Sequence, residues 1–216
     1  MNYPDCKLIG CDQRTEEWFA ARRGRLTASQ FGDWLTKTGK VAEKARLTAA
    51  SKCLAELAGY PDPRPFETDD MRRGVELEPE ARDMFQIATG LQVDQIGFAQ
   101  SRHGWHGCSP DGLILSTGAG LEIKCPRASQ LIQYIERGEL PDEYKAQVHG
   151  SMATTGARAW WFFAYYPGLP YFLTLVRWDV YTQSMAEGLK SYSNYFAGMA
   201  ERMERLRLEQ AGRTQP

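Results

Sequence analysis

Hydrophobic residues along this chain keep two rhythms, one helical and one extended, separated by glycine, proline and capping residues. Thr15 followed by Glu16 and Glu17 reads as an N-cap with acids in the first turn. The helix TEEWFAARR then stops at Gly24, a natural residue just past a helix end. Thr27-Ala-Ser-Gln30 has capping-box spacing and opens a second helix through Phe31, Trp34 and Leu35. KTGK (37–40) reads as a loop. Residues 43–58 carry Leu47, Ala50, Leu54 and Leu57 on one stripe and end at Gly59. YPDPRPF is too proline-rich for either regular element and reads as a rigid linker. Residues 69–89 are helical up to Gly90, with Pro79 marking a kink or a fresh first turn.

The extended rhythm begins at Leu91 to Phe98, a loosely alternating strand. A hairpin of strands 112–115 and 121–125 follows, around Ser-Thr-Gly-Ala-Gly. Two helices, 127–137 and 141–155, lead to strands 159–166 and 171–178, joined at Pro167-Gly168. A helix over 181–208 closes the chain. Helices first, then strands with helices between them, predict one α/β (α+β) domain over 1–216. Residues 1–13 and 209–216 are expected to be peripheral or frayed.

Composition narrows the class. At 216 residues, 43% hydrophobic and 25% charged, the chain suits a soluble globular domain. No apolar run approaches the roughly 18–20 residues of a membrane span, and the N-terminus lacks a signal-peptide pattern. Five scattered cysteines without a C-x-x-C pair suit reduced thiols in a cytoplasm. The net charge of −1 argues against non-specific coating of nucleic acid. Positive charge is nevertheless concentrated locally, at Arg14, Arg22, Arg23 and Arg25.

The candidate chemistry lies in CSPDGLILSTGAGLEIKCP (108–126). On a strand, Glu122 and Lys124 share a face. Folding the hairpin about Thr117–Gly118 puts Asp111 nearly opposite Lys124 and diagonal to Glu122, within about 7–8 Å. Two carboxylates and the Ile123 carbonyl could meet on a hard cation such as Mg²⁺, beside the Lys124 ammonium. Three solvated residues on an ordinary hairpin would give the same pattern. Tyr144, Gln147 and Ser151 form a polar stripe on the helix 141–155. Glu78 interrupts an apolar-periodic helix. Arg22, Thr27 and Ser29 surround a helix start with donors suited to an anion. Each of these has an equally simple reading as a solvated face or an ordinary cap.

Read in order, WFAARRGRLTAS, RRGVELEPEARDMF, CSPDG, LEIKCP, YKAQVHGSM and ARAWWFFAYY resemble the family of phage lambda exonuclease and its YqaJ-type viral recombinase relatives. The resemblance runs from about Trp18 to about Trp178. It implies a PD-(D/E)xK restriction-endonuclease-like core, a mixed central sheet flanked by helices. It also implies Mg²⁺-dependent degradation of one strand of linear duplex DNA from its 5′ end, leaving 3′ overhangs for strand annealing. By resemblance Asp111, Glu122 and the Ile123 carbonyl are metal ligands, Lys124 is the catalytic lysine, and Glu78 supports the metal indirectly. Gln147 and Tyr144 line the site. Arg22, Ser29 and Ser109 would hold a 5′-terminal phosphate. Where the family has an arginine this chain has Gln130, so Arg127, three residues earlier, is the candidate replacement. Two Mg²⁺ ions, replaceable by Mn²⁺, would serve an in-line attack by water. The family further implies a homotrimeric ring around DNA, a single-strand annealing protein as partner, and a cytoplasmic protein of bacterial, phage or prophage origin.

Three rivals stand beside this reading. One keeps the fold but makes the protein a restriction-type or RecB-like endonuclease. Another is a DNA-end-binding protein without chemistry. The third is a zinc site from His103, His106, Cys108 and Cys125.

Overall fold

The computed structural model describes residues 3–34, 42–63, 66 and 68–213. Leu35, the KTGK segment and part of YPDPRPF lie outside the described residues. The elements in chain order are β1 (Cys6–Ile9), α1 (Glu16–Arg22), β2 (Leu26–Thr27), a 3₁₀ turn (Ala28–Gln30), α2 (Phe31–Trp34), α3 (Glu43–Leu57) and α4 (Asp69–Thr89). There follow β3 (Phe98–Ser101), β4 (His106–Cys108), β5 (Gly112–Ile114), β6 (Ala119–Lys124), α5 (Ala128–Arg137), α6 (Asp142–Thr155), β7 (Ala159–Ala164), β8 (Phe172–Arg177) and α7 (Val180–Arg213). The strands make two mixed sheets, ordered β1-β3-β4-β2 and β5-β6-β7-β8.

The second sheet carries the candidate chemistry. β6 pairs antiparallel with β5 and parallel with β7, with α5 and α6 as the crossover between the parallel pair. Leu121 and Ile123 face Ala81 and Phe85 of α4, in a cluster with Ile114, Phe163 and Tyr165. Trp160 and Phe162 of β7 join the larger core with Val148 and Met152 of α6 and Leu189, Tyr192 and Phe196 of α7. Glu122 and Lys124, two apart on β6, therefore share the face that α6 covers.

Several expectations change. Residues 91–97 are not a strand; their ladder contact is one bridge, Asp94 to Leu113, and the strand proper is Phe98–Ser101. α4 runs unbroken through Pro79, whose ring removes a single helix bond. Residues 209–213 continue α7, exposed over 209–212. Of the N-terminal residues read as peripheral, 6–9 form an edge strand on β3. Tyr3 is buried there and donates from its hydroxyl to the Ala119 carbonyl at 2.8 Å.

Gly150 sits where α6 crosses Phe31 of α2. A Cβ there would lie 2.1 Å from Cδ2 of the fully buried Phe31 ring, with no solvent side to yield into. Gly150→Ala is expected to destabilise the fold by about 1–3 kcal/mol through overpacking, measured by urea unfolding. A variant as stable as the parent would show that the α2–α6 contact is loose.

Candidate active site

Asp111 stands at the end of the Ser-Pro-Asp turn, one residue before β5. The register Gly112↔Leu121, carried one residue back, sets it opposite Glu122, not Lys124. The expected register was off by two because the turn is centred one residue earlier: β5 ends at Ile114 and β6 begins opposite it at Ala119, with Thr117 and Gly118 both donating to the Ile114 carbonyl, at 3.1 and 2.8 Å. Asp111 Oδ2 accepts from the Ile123 backbone N–H at 2.6 Å. Glu122, 2% exposed, accepts on Oε1 from Lys124 Nζ at 2.6 Å and from Gln147 Nε2 at 2.5 Å. Lys124 also lies 5.1 Å from the centre of the Tyr144 ring, a cation–π contact. The polar stripe of α6 is thus turned inward, and Ser151 is buried further along it.

Burial, then repulsion from Glu122, pushes the Asp111 carboxyl well above the usual carboxylate range, with Lys124 opposing. Burial raises Glu122 as well, again against Lys124. For Lys124 burial works downward, but Glu122 and Asp111 outweigh it and hold the amine above its ordinary value. Lys124 is therefore an ammonium in this setting.

Glu78 reaches the same place from α4. It takes Arg82 Nη2 at 2.5 Å and Arg14 Nη2 at 3.4 Å. It lines, with Asp111, Ile123, Lys124 and Tyr144, a cleft of about 590 Å³. A smaller cavity of about 260 Å³ adjoins it, between Arg14, Glu78, Arg82 and Asp111. Among the described residues no group of three or more His, Cys, Asp or Glu is arranged to hold a metal. The donor set available is the opposed pair Asp111 and Glu122, buried oxygen donors whose pKa values burial raises despite the opposing Lys124. A small hard cation keeps most of its waters and needs few protein oxygens, so this pair fits Mg²⁺ or Mn²⁺.

The zinc reading does not survive. His106 is buried, and its Nδ1 lies 3.2 Å from the Ser101 hydroxyl and 3.1 Å from that of Ser193. Cys108 and Cys125 lie in separate core clusters, and among the described residues no such group converges to hold a metal.

The candidate anion pocket is assembled in part. Arg22 Nη1 and Trp18 Nε1 both donate to Ser109 Oγ at 2.9 Å, and the Arg22 guanidinium stacks 4.1 Å from the Trp18 ring centre. Burial lowers the Arg22 pKa to about 10, still fully charged near neutrality. The sequence reading passed over Trp18, although its i, i+4 spacing to Arg22 puts both on one helix face. Ser29 is exposed on the 3₁₀ turn, its hydroxyl 3.3 Å from that of Thr27. The parallel pairing Thr27↔Gly107 runs that turn alongside the chain entering Ser109. Arg127 is engaged elsewhere: its Nε lies 2.9 Å from Asp70 of α4, which also holds Arg73 at 2.8 Å. Gln130 lines the cleft.

Comparison with known proteins gives a consistent picture. A family model described as the YqaJ-like viral recombinase domain matches residues 17–158. The chain is similar to an alkaline exonuclease (LHK-Exo) from Laribacter hongkongensis, at 32% identity and a TM-score of 0.74, over 93% of this chain and 100% of that one. The same enzyme solved in complex with dAMP matches at 31% identity and a TM-score of 0.73, with the same coverage. A phage-related exonuclease from Haemophilus somnus 129PT shares the fold at 14% identity and a TM-score of 0.56, over 83% of this chain and 96% of that one. No curated protein matches.

Proposed function

The chain belongs to the YqaJ-like viral recombinase family, and on that premise we propose that it digests linear duplex DNA from the 5′ end, releasing mononucleotides and leaving 3′ single strands. It is a DNA exonuclease of the lambda-exonuclease type, a hydrolase with a PD-(D/E)xK-type fold. The observation that carries the finer reading is Glu122, buried opposite Asp111 and held by Lys124 and Gln147, behind a cleft that Asp111, Ile123 and Lys124 line.

Asp111, Glu122 and the Ile123 carbonyl would hold Mg²⁺, which when bound would act as a Lewis acid toward the phosphate and the attacking water. Gln147 and Lys124 fix the Glu122 carboxylate, and the Ile123 N–H fixes that of Asp111. Lys124, as an ammonium, donates to a phosphate oxygen and offsets the charge that builds on it. Glu78, already paired to two arginines, supports this arrangement from α4. Arg22 and Ser109 hold the 5′-terminal phosphate, with Ser29 beside them. Ser109 lies two residues from Asp111, and two extended residues span about 7 Å, the scale of one nucleotide. Anchoring a chain end at one point and cleaving at the other releases one nucleotide per event. That the similar Laribacter enzyme was solved with dAMP, a nucleoside monophosphate, agrees with this product. The tethering of Arg127 to Asp70 leaves the pocket with Arg22 as its main cation.

The 3′ strand so exposed would be taken up by a single-strand annealing protein, and a trimeric ring in the cytoplasm is the assembly that suits continuous digestion. Among the described residues no helix is long and apolar enough to cross a membrane.

Linear duplex labelled at either strand end, with Mg²⁺, tests the proposal. Label at the 5′ end is expected to appear at once as mononucleotide, and 3′ label to persist in long single strands. Removing the 5′ phosphate should slow digestion by about 10-fold or more, the worth of one or two charge-assisted bonds. Cleavage of closed circles would favour an endonuclease, and binding without release an end-binding protein.

A further inference from the structure

Among the described residues Arg14 is the one non-glycine residue with positive φ, at +70°. Residues with a side chain are disfavoured in that region, and glycine occupies it freely. The local turn does not require an arginine. Thr15 supplies both the cap of α1, accepting from Trp18 N–H at 3.3 Å, and the bond to the Asp12 carbonyl at 2.7 Å. Neither bond involves the side chain at 14.

What the arginine contributes is a guanidinium at the mouth of the site. It is half exposed and borders both the cleft and the smaller cavity beside Asp111. Its partner Glu78 is held more closely by Arg82, at 2.5 Å against 3.4 Å. An exposed pair of this length binds its cation weakly. The other basic residues lining the cleft are paired more closely: Lys124 with Glu122 at 2.6 Å and Arg73 with Asp70 at 2.8 Å. Asp70, Glu78 and Asp111 line the same walls, which would repel an entering DNA strand. Arg22 ends α1, whose seven residues rise about 10 Å, while Arg14 precedes it; their guanidinium groups meet different partners, Ser109 and Glu78, so the two address different phosphates.

We propose that Arg14 binds a backbone phosphate of the strand being degraded, as a second contact beyond the terminal-phosphate pocket. The inference rests on the exonuclease reading. It assigns the strained backbone to function: the conformation aims a loosely held cation into an acidic cleft.

The test compares the full-length parent with Arg14→Gly and Arg14→Lys in steady-state digestion of 5′-phosphorylated linear duplex across a salt series. Arg14→Gly is expected to raise KM about ten-fold, with kcat changed less than about two-fold. The slope of log KM against log salt should fall by about 0.7–0.9, one phosphate contact. The same variant should melt at a higher temperature than the parent, because glycine removes the strain. Arg14→Lys should retain most of the parent's affinity and slope. A parent-like KM and slope in Arg14→Gly would overturn the assignment, as would an equal loss of affinity in both variants without a change of slope. A parent that digests no linear duplex overturns the exonuclease reading as well, and is seen before any variant is compared.

Discussion

Lys124→Ala is expected to lower nucleotide release by about 10²–10⁴-fold while the affinity for duplex ends changes only a few-fold. Lys124 is the cation in contact with Glu122, at 2.6 Å, and shares its strand face beneath α6. On the proposed reading affinity resides largely elsewhere, at Arg22 and Ser109. The substitution has a structural cost, since Glu122 is 2% exposed and would retain Gln147 alone. Breaking such a pair costs about 3–5 kcal/mol unless the carboxyl takes a proton or a metal replaces the lysine. Folding is therefore checked by circular dichroism with Mg²⁺ present. Single-turnover release and fluorescence anisotropy then separate chemistry from binding. Parent-like release in a folded variant would falsify the role given to Lys124.

Asp111→Asn should do two opposite things to stability. Without metal it removes a desolvated charge facing Glu122, so the variant should melt higher than the parent. With Mg²⁺ at about 100 times its Kd, the parent should gain about 2.7 kcal/mol and the variant almost nothing. The pH dependence has a definite sign. The folded pKa of Asp111 lies above its unfolded value of about 3.9. Its contribution therefore favours folding below that unfolded value and is lost as pH rises through the folded pKa. The metal-free advantage of Asp111→Asn should be small near pH 4 and grow toward pH 8. Differential scanning fluorimetry with and without Mg²⁺ reads both effects. An unchanged Mg²⁺ response in the variant would remove Asp111 from the metal site.

Features encoded by neighbours in sequence were legible. The Thr15 cap and the Thr27/Gln30 box are made as read, with Thr27 N–H donating to Gln30 Oε1 at 3.1 Å. Asp111, Glu122, Lys124, Gln147 and Glu78 do converge, though spread over three segments. What was not legible depends on partners distant in sequence. β2 and β4 have two and three residues and exist because they pair with each other and with β3. Nothing local distinguishes Leu26-Thr27 from a loop. The hairpin register slipped because the turn's position sets which residues face each other, and it is centred one residue earlier than read. The pairing of Arg127 with Asp70, 57 positions away, was not legible either, because a surface arginine binds the carboxylate that folding brings near.

β6 is hydrogen-bonded along both edges, to β5 and to β7, and is covered on both faces. Strands so placed open only when the whole domain does, whereas short peripheral elements open on their own. The proposed pocket for the chain end rests on such elements: a seven-residue helix and a 3₁₀ turn on a two-residue strand. Mild denaturant would thus separate two properties that the native protein joins. Recognition of the DNA end would fade first, and the power to hydrolyse would persist until the fold itself gave way.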